Sequence, residues 1–230
     1  MIKYHPADDL LYAHAAGSLP ASMSIAVAAH SEMCEACAKK LALFENQIAD
    51  EAFGLAEASE TPLDSDNLLT AADNDEFAGM LTAIMNDEQM PSTPISPSPK
   101  SDIDVAGERY TLPTALRRYH HLGWSSVGAL SRARLPLNEG DTRASLLHIG
   151  MNGGVPSHTH KGTEVTLLLS GHFEDEHDSY VPGDFIILDS SDHHTPQTHD
   201  GCLCYTVADA PLHFTKGVSQ LLNAVGHVIY

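Results

Sequence analysis

The sequence predicts a multidomain α + β fold: an N-terminal helical domain of about four helices, then a C-terminal β-barrel. Three observations predict it. The tract MPSTPISPSPK, residues 90–100, holds four prolines. It reads as an extended linker, because proline has no N–H to donate and breaks a helix. Before it, apolar residues recur at helical spacing without β-branched alternation. After it, short apolar runs are bounded by Gly, Pro and Asp, as strands are. The expected divisions are 1–90, a Pro/Ser-rich linker at 91–104, and 105–230.

In the first part, Pro6 suits a helix start, and Asp8 and Asp9 favour its positive N-terminal end. Leu10, Leu11 and His14 follow, and Gly17 can stop the helix. A second helix is expected from Pro20 to about Ala29. A third runs through Leu41, Phe44, Ile48 and Phe53. A fourth covers about Asp66–Asn86, with Leu69, Phe77, Leu81, Ile84 and Met85. In the second part the strands are RASLLHIGM from Arg143, EVTLLLSG from Glu164, DFIILDS from Asp184 and CLCYTVADA from Cys202.

Charge excludes one class of function. The 230 residues carry 12 Lys+Arg against 31 Asp+Glu, net -19. A direct nucleic-acid binder needs a basic footprint, and none is present. Residues 1–100 hold 4 basic and 16 acidic residues, with no arginine, so their net charge is -12. Such a surface suits a basic partner. Residues 101–230 hold 12 of the 15 histidines. No run of about 18 apolar residues is present, so no membrane span is expected. MIKYHPADDLLYAHAAG lacks the basic start and apolar run of a secretory signal, and the cytoplasm is the expected compartment. Four cysteines in that compartment suit metal ligation or a core better than disulfides.

His30-Ser-Glu-Met-Cys34-Glu-Ala-Cys37 has the spacing H-x3-C-x2-C. In or near a helix, offsets of 0, 4 and 7 share one face. Two thiolates and an imidazole there can meet one tetrahedral zinc ion, with a fourth ligand from elsewhere. His5 is the best placed candidate. His14 competes, but it sits mid-helix in an apolar stretch. The bland alternative is two small buried cysteines beside an incidental histidine. A helical unit this small buries little, and a structural zinc contributes roughly 10–16 kcal/mol of apparent folding energy.

The second constellation is Gly153-Gly154-Val-Pro-Ser-His158-Thr-His160-Lys-Gly-Thr-Glu164, followed by Gly171. His158 and His160, two apart on a strand, face the same side. Glu164 can return to that side across Lys161-Gly162. Later come Val181-Pro182-Gly183-Asp184 and Ser191-Asp192-His193-His194-Thr195-Pro196. Three imidazoles and a carboxylate would hold a divalent metal and leave positions open. Over 150–196 the residues resemble the cupins, whose pattern is G-x5-H-x-H-x3-E-x6-G, then P-G-x and H-x-P. One glycine is displaced by a residue, and the second motif is abbreviated. His194 fits the H-x-P spacing, with His193 the alternative. The alternative for the site as a whole is a metal-free barrel with packed histidines. His172 and His177 flank the acidic turn Glu174-Asp175-Glu176, expected to be solvated. Cys202 and Cys204 share one strand face, as core side chains or, less simply, as a redox pair.

The order of helical H-x3-C-x2-C, linker and single cupin resembles the ChrR family of zinc-binding anti-sigma factors. The telling stretches are His5 with LLYAHAAGSLP, then HSEMCEAC, HTHKGTE and CLCYTVADAPLHF. The resemblance implies an anti-sigma factor that holds an extracytoplasmic-function-type sigma factor inactive through its helical zinc domain. It implies release on an oxidative signal, such as singlet oxygen, sensed by the cupin. Zinc would sit on His5, His30, Cys34 and Cys37. A divalent metal, zinc first and Fe, Mn or Ni as alternatives, would sit on His158, His160, Glu164 and His194. Helix four, with its apolar residues, would dock on the partner or support self-association when the chain is free. The rival reading is a cupin metalloenzyme, of dioxygenase or isomerase type, with a zinc-stabilised accessory domain. Tyr205 or Glu174 would then supply the acid or base. A metal-buffering protein fits less well, because the histidines are not in tracts.

Overall fold

A computed structural model describes residues 1–54, 71–86 and 101–215 of the chain. The N-terminal region is helical: α1 (Asp8–Ala15), α2 (Ala21–Met33), α3 (Glu35–Phe53) and α4 (Ala71–Met85). Asp8 and Asp9 occupy the first turn of α1. Gly17, at φ +67°, supplies the left-handed turn that ends it. The second helix runs past the expected Ala29 to Met33. There Cys34 turns extended (φ -125°, ψ 102°), and α3 starts at the next residue. His30, Cys34 and Cys37 therefore lie across a helix break rather than on one continuous face. Residues 66–70 of the expected fourth helix, and 87–100 with most of the linker, lie outside the described residues.

The rest is β-rich. Its strands are β1 (Asp102–Val105), β2 (Glu108–Thr111), β3 (Ser125–Val127), β4 (Leu130–Arg134), β5 (Arg143–Ile149), β6 (His158–His160) and β7 (Glu164–Gly171). They continue as β8 (Phe173–Glu174), β9 (Ser179–Tyr180), β10 (Phe185–Leu188), β11 (His193–His194), β12 (Cys202–Ala208) and β13 (Leu212–Phe214). A six-stranded sheet has the order β10-β7-β12-β5-β4-β3, and a three-stranded sheet the order β11-β6-β13. Pairs β1-β2 and β8-β9 stand apart from them. A 3₁₀ helix covers Thr114–Tyr119.

Strand alternation gives the six-stranded sheet two working faces. Along β12, Leu203, Tyr205 and Val207 enter one core, and Cys202 and Cys204 the other. Strand β7 does the same, with Val165, Leu167 and Leu169 on one side and Leu168 on the other. The first core is shared with the helices: Leu11, Ala26, Val27, Ala29, Cys34 and Cys37 cluster with Ile103, Leu116, Leu146 and Tyr205. Each fully buried Leu in it is worth roughly 1.5–3 kcal/mol. The second core holds Ile149, Phe173, Tyr180 and Ile186.

Polar contacts fix the first helices to the sheet. The buried Tyr205 hydroxyl donates to the Ser22 carbonyl at 2.9 Å. The Glu139 carboxylate accepts from the Ser22 N–H at 2.9 Å, satisfying a donor that the start of α2 leaves without a helical partner. At the other end of α2, Glu32 accepts from the Thr114 N–H at 2.7 Å. Residues 1–49 and 99–230 accordingly form one compact unit, and 50–98 a second. In the second unit, Met80, Leu81, Ile84 and Met85 of α4 are exposed.

Candidate metal centres

His5, His30, Cys34 and Cys37 come together, each with a donor atom within 4.8 Å of the others. The break at Cys34 makes this possible, since it turns the start of α3 so that Cys37 meets Cys34. Both sulfurs lie 3.5 Å from His5 Nδ1. His5 arrives from the extended segment before α1, where the Tyr4 carbonyl accepts from the Phe185 N–H at 3.0 Å. His30 is fully buried. Its Nδ1 lies 2.7 Å from the Gly183 carbonyl. A carbonyl only accepts, so Nδ1 carries the proton and Nε2 presents a bare lone pair. That Nε2 is buried without a hydrogen-bond partner among the described residues. Burial pushes the Cys37 thiol up to about 11, aided by its hydrogen bond with Cys34. Burial lowers the pKa of His30 and keeps it neutral. A neutral imidazole lone pair grouped with two buried sulfurs fits a cation, which would also draw the thiols into their thiolate form. His14 is not in this group; it is part-buried in α1, and burial lowers its pKa.

His158, His160, Glu164 and His194 form the second group, again with donor atoms within 4.8 Å. Strand β6 carries two of the histidines, and its pairing with β11 sets His194 opposite His158. Glu164 opens β7. His194 Nε2 lies 2.9 Å from His158 Nε2 and 3.2 Å from His160 Nε2. The reverse sides of two rings fix their tautomers. His158 Nδ1 donates to the Pro156 carbonyl at 2.8 Å. His194 Nδ1 donates to the buried Asp175 carboxylate at 3.0 Å. With His194 neutral, two bare Nε2 lone pairs point at each other, which is repulsive unless a cation lies between them. Nitrogens bound about 2.0–2.1 Å from one ion stand roughly 3 Å apart, so the spacing fits a metal.

Burial, with His194 close by, pushes His158 down to about 4. His160 goes down to about 3 for the same reasons, His158 adding to the effect. Burial raises Glu164 to about 7. Its Oε2 is 3.2 Å from His160 Nδ1, which has no hydrogen-bond partner among the described residues. A cation would favour the carboxylate. His193 is exposed and outside the group, whereas His194 is buried within it.

In the acidic turn Glu174 and Glu176 are exposed as expected, and Asp175 departs from that expectation. The Asp175 side chain is 1% exposed and holds His194. Burial would raise that carboxyl, but hydrogen bonds from His194 and from the N–H groups of His177 and Asp178 outweigh it and lower the pKa. The nearby histidines were the only signal for Asp175 in the sequence. Tyr205 points into the other core, toward Ser22, and Glu174 lies 3.9 Å from the exposed His199. Neither reaches the second centre. Cys202 and Cys204 are buried on the β12 face that shares a core with Leu168.

Residues 114–211 match the family described as the ChrR Cupin-like domain. The β-rich part is a cupin-like domain. Similarity to ChrR extends well beyond it. The anti-sigma-E factor ChrR of Cereibacter sphaeroides is 29% identical over 224 residues, 96% of this chain and 97% of that protein. The crystal structure of Rhodobacter sphaeroides SigE in complex with the anti-sigma ChrR matches 91% of this chain and 100% of the matched chain. Its identity is 28% and its TM-score 0.59. The likeness to ChrR thus takes in both the helical region with His5, His30, Cys34 and Cys37 and the cupin-like region with the histidine group. Among the described residues no helix is long and apolar enough to cross a membrane.

Proposed function

We propose that this chain is an anti-sigma factor. It holds an extracytoplasmic-function-type sigma factor inactive in the cytoplasm and releases it on an oxidative signal, such as singlet oxygen, sensed through the cupin domain. The observation that carries the reading is the match, over 91% of the chain, to ChrR as found in complex with SigE. The division of labour we propose assigns sigma-factor binding to 1–90, a zinc-bound domain of about four helices. It assigns sensing to the cupin barrel of 105–230, with 91–104 as linker.

His5, His30, Cys34 and Cys37 would hold a structural zinc, and His158, His160, Glu164 and His194 a divalent metal. The first would cross-link α2, α3 and the N-terminal segment, and the second would polarise a group bound beside it. The residues around them do the rest. The Gly183 carbonyl fixes the His30 ring, and Asp175 fixes the His194 ring. The exposed apolar side chains Met80, Leu81, Ile84 and Met85 of α4 suit a helix face that docks on a protein partner. Without the partner the same face favours self-association. The acidic N-terminal region attracts the basic surfaces with which a sigma factor meets DNA and polymerase.

One observation favours a second reading, a cupin metalloenzyme. A groove of about 420 Å³ is lined by Gly153, Gly154, Pro156, Thr195, Gln197 and His199, next in sequence to His158 and His194. That is a small-ligand size. Co-purification from the native cell with metal analysis separates the two. A co-eluting sigma factor supports the regulator, whereas turnover of a small molecule without one supports the enzyme.

A further inference from the structure

One short segment, 173–185, reaches behind both metal centres. Near its start the Asp175 carboxylate holds His194 at 3.0 Å. Near its end the Gly183 carbonyl holds His30 at 2.7 Å. Between them the segment grips the residues that deliver His5. Asp178 accepts from the Tyr4 hydroxyl at 2.6 Å and pairs with Lys3 Nζ at 2.7 Å. The fully buried Asp184 carboxylate accepts from the N–H groups of Lys3 and Tyr4, at 2.6 and 3.1 Å. Tyr180 closes the circuit. Its hydroxyl donates to Asp175 at 3.2 Å, and its ring lies 5.4 Å from that of Tyr4.

We propose that segment 173–185 couples the two centres, so that the state of the histidine–glutamate centre sets how tightly the thiolate centre holds its cation. Asp175, Tyr180, Tyr4 and the Gly183 carbonyl act as positioning residues along the route. The inference rests on the reading that each group holds a metal. Asp175 is the central junction of this route. Besides His194 and Tyr180 it accepts from the N–H groups of His177 and Asp178, at 2.8 and 3.2 Å. Any shift of His194 that accompanies loss of its ion therefore pulls on the turn that carries Asp178. Asp178 holds Tyr4, and Tyr4 precedes the ligand His5. The path consists of packed rings and hydrogen bonds, most of them part-buried, that cross the turn between β8 and β9 as a contiguous chain of contacts. By linkage the effect is reciprocal: emptying the thiolate centre weakens the other by the same factor. A signal carried along the chain through residues 50–100 would be indifferent to these contacts.

The test uses the full-length chain loaded with cobalt(II). Thiolate-to-cobalt charge-transfer absorbance reports the Cys34/Cys37 centre alone, and total cobalt gives the other by difference. Chelator titrations are run on the native chain, Asp175→Ala, His158→Ala, Tyr4→Phe and the His158→Ala/Tyr4→Phe pair. Asp175→Ala and His158→Ala should each lower the apparent affinity of the thiolate centre at least about fivefold, although neither residue touches it. In the Tyr4→Phe background the effect of His158→Ala should shrink, because one hydroxyl on the route is already gone. An unchanged thiolate affinity in folded Asp175→Ala would overturn the coupling, as would full additivity in the Tyr4→Phe pair. Should Asp175→Ala fail to fold, the His158/Tyr4 cycle decides alone. Absence of the thiolate band from the native chain would instead overturn the metal reading and the coupling with it.

Discussion

The Gly183 carbonyl, in a turn of the cupin-like domain, accepts a 2.7 Å hydrogen bond from Nδ1 of His30 in α2. A backbone group of one region thus sets the tautomer of a candidate zinc ligand in the other. Gly183 has φ +96°, and a Cβ there would collide with the Ile2 side chain. Gly183→Ala should therefore destabilise the chain by about 1–2 kcal/mol and weaken zinc retention at Cys34 and Cys37. Thermal melts and bound-zinc assays on the same samples check both effects.

Cys34→Ala and Cys37→Ala should each remove one zinc per chain and, with it, sigma-factor binding. Removing either thiolate leaves three ligands and a shared core around Cys34, Cys37 and Leu11 that has lost its cross-link. Metal analysis paired with pull-down of the sigma factor measures the two losses together. Full binding by a zinc-free variant would contradict the role assigned to the ion.

His158→Ala and Glu164→Gln should empty the cupin-like centre. With zinc in excess they should leave sigma-factor binding in place and abolish release by oxidant. The check is sigma-dependent transcription with and without singlet oxygen. Failure of both variants to hold the sigma factor at all would show that the work is not divided between the domains.

Leu81 and Ile84 are 49% and 58% exposed on α4. Changing both to Ser should leave the fold of the rest intact. It should weaken sigma-factor binding by about 2 kcal/mol or more, roughly 30-fold, as loss of an apolar anchor does. Isothermal titration with the sigma factor measures it.

Lys3 and Tyr4 together hold the Asp178 carboxyl well below the usual carboxylate range, Lys3 contributing most. The folded pKa is depressed, so the stability this contact adds is present above the unfolded value, about 4. It is lost as pH falls through the folded value. Asp178→Asn should thus lower the melting temperature at neutral pH, and the gap to the native chain should close as the medium is acidified below about pH 4. A gap that stays constant over that range would show that the ion pair does not secure the N-terminal segment.

Much of the candidate chemistry was legible in residue spacing. H-x3-C-x2-C and H-x-H-x3-E are local patterns, and the structure gathers those side chains within 4.8 Å of one another. What spacing does not encode is contact between distant segments. The one-residue helix break at Cys34 depends on tertiary packing. The shared core beneath α2, in which Tyr205 reaches Ser22 across 183 positions, has no periodic signature. Asp175 was hidden for a related reason. An acidic triplet between two histidines reads as a solvated turn, and only the fold buries its middle residue against His194. Tyr205 and Glu174 looked equally able to serve a reaction, yet strand alternation sends the first to the opposite face, and the second ends beside His199.

The central claim is that a cation on His5, His30, Cys34 and Cys37 shapes the surface that holds a sigma factor. The most direct measurement is sigma-factor binding by the full-length chain before chelation, after complete chelation, and after zinc is restored. The account predicts binding, loss and recovery, with recovery complete when zinc again occupies the two thiolates. Undiminished binding by the fully chelated chain would contradict it.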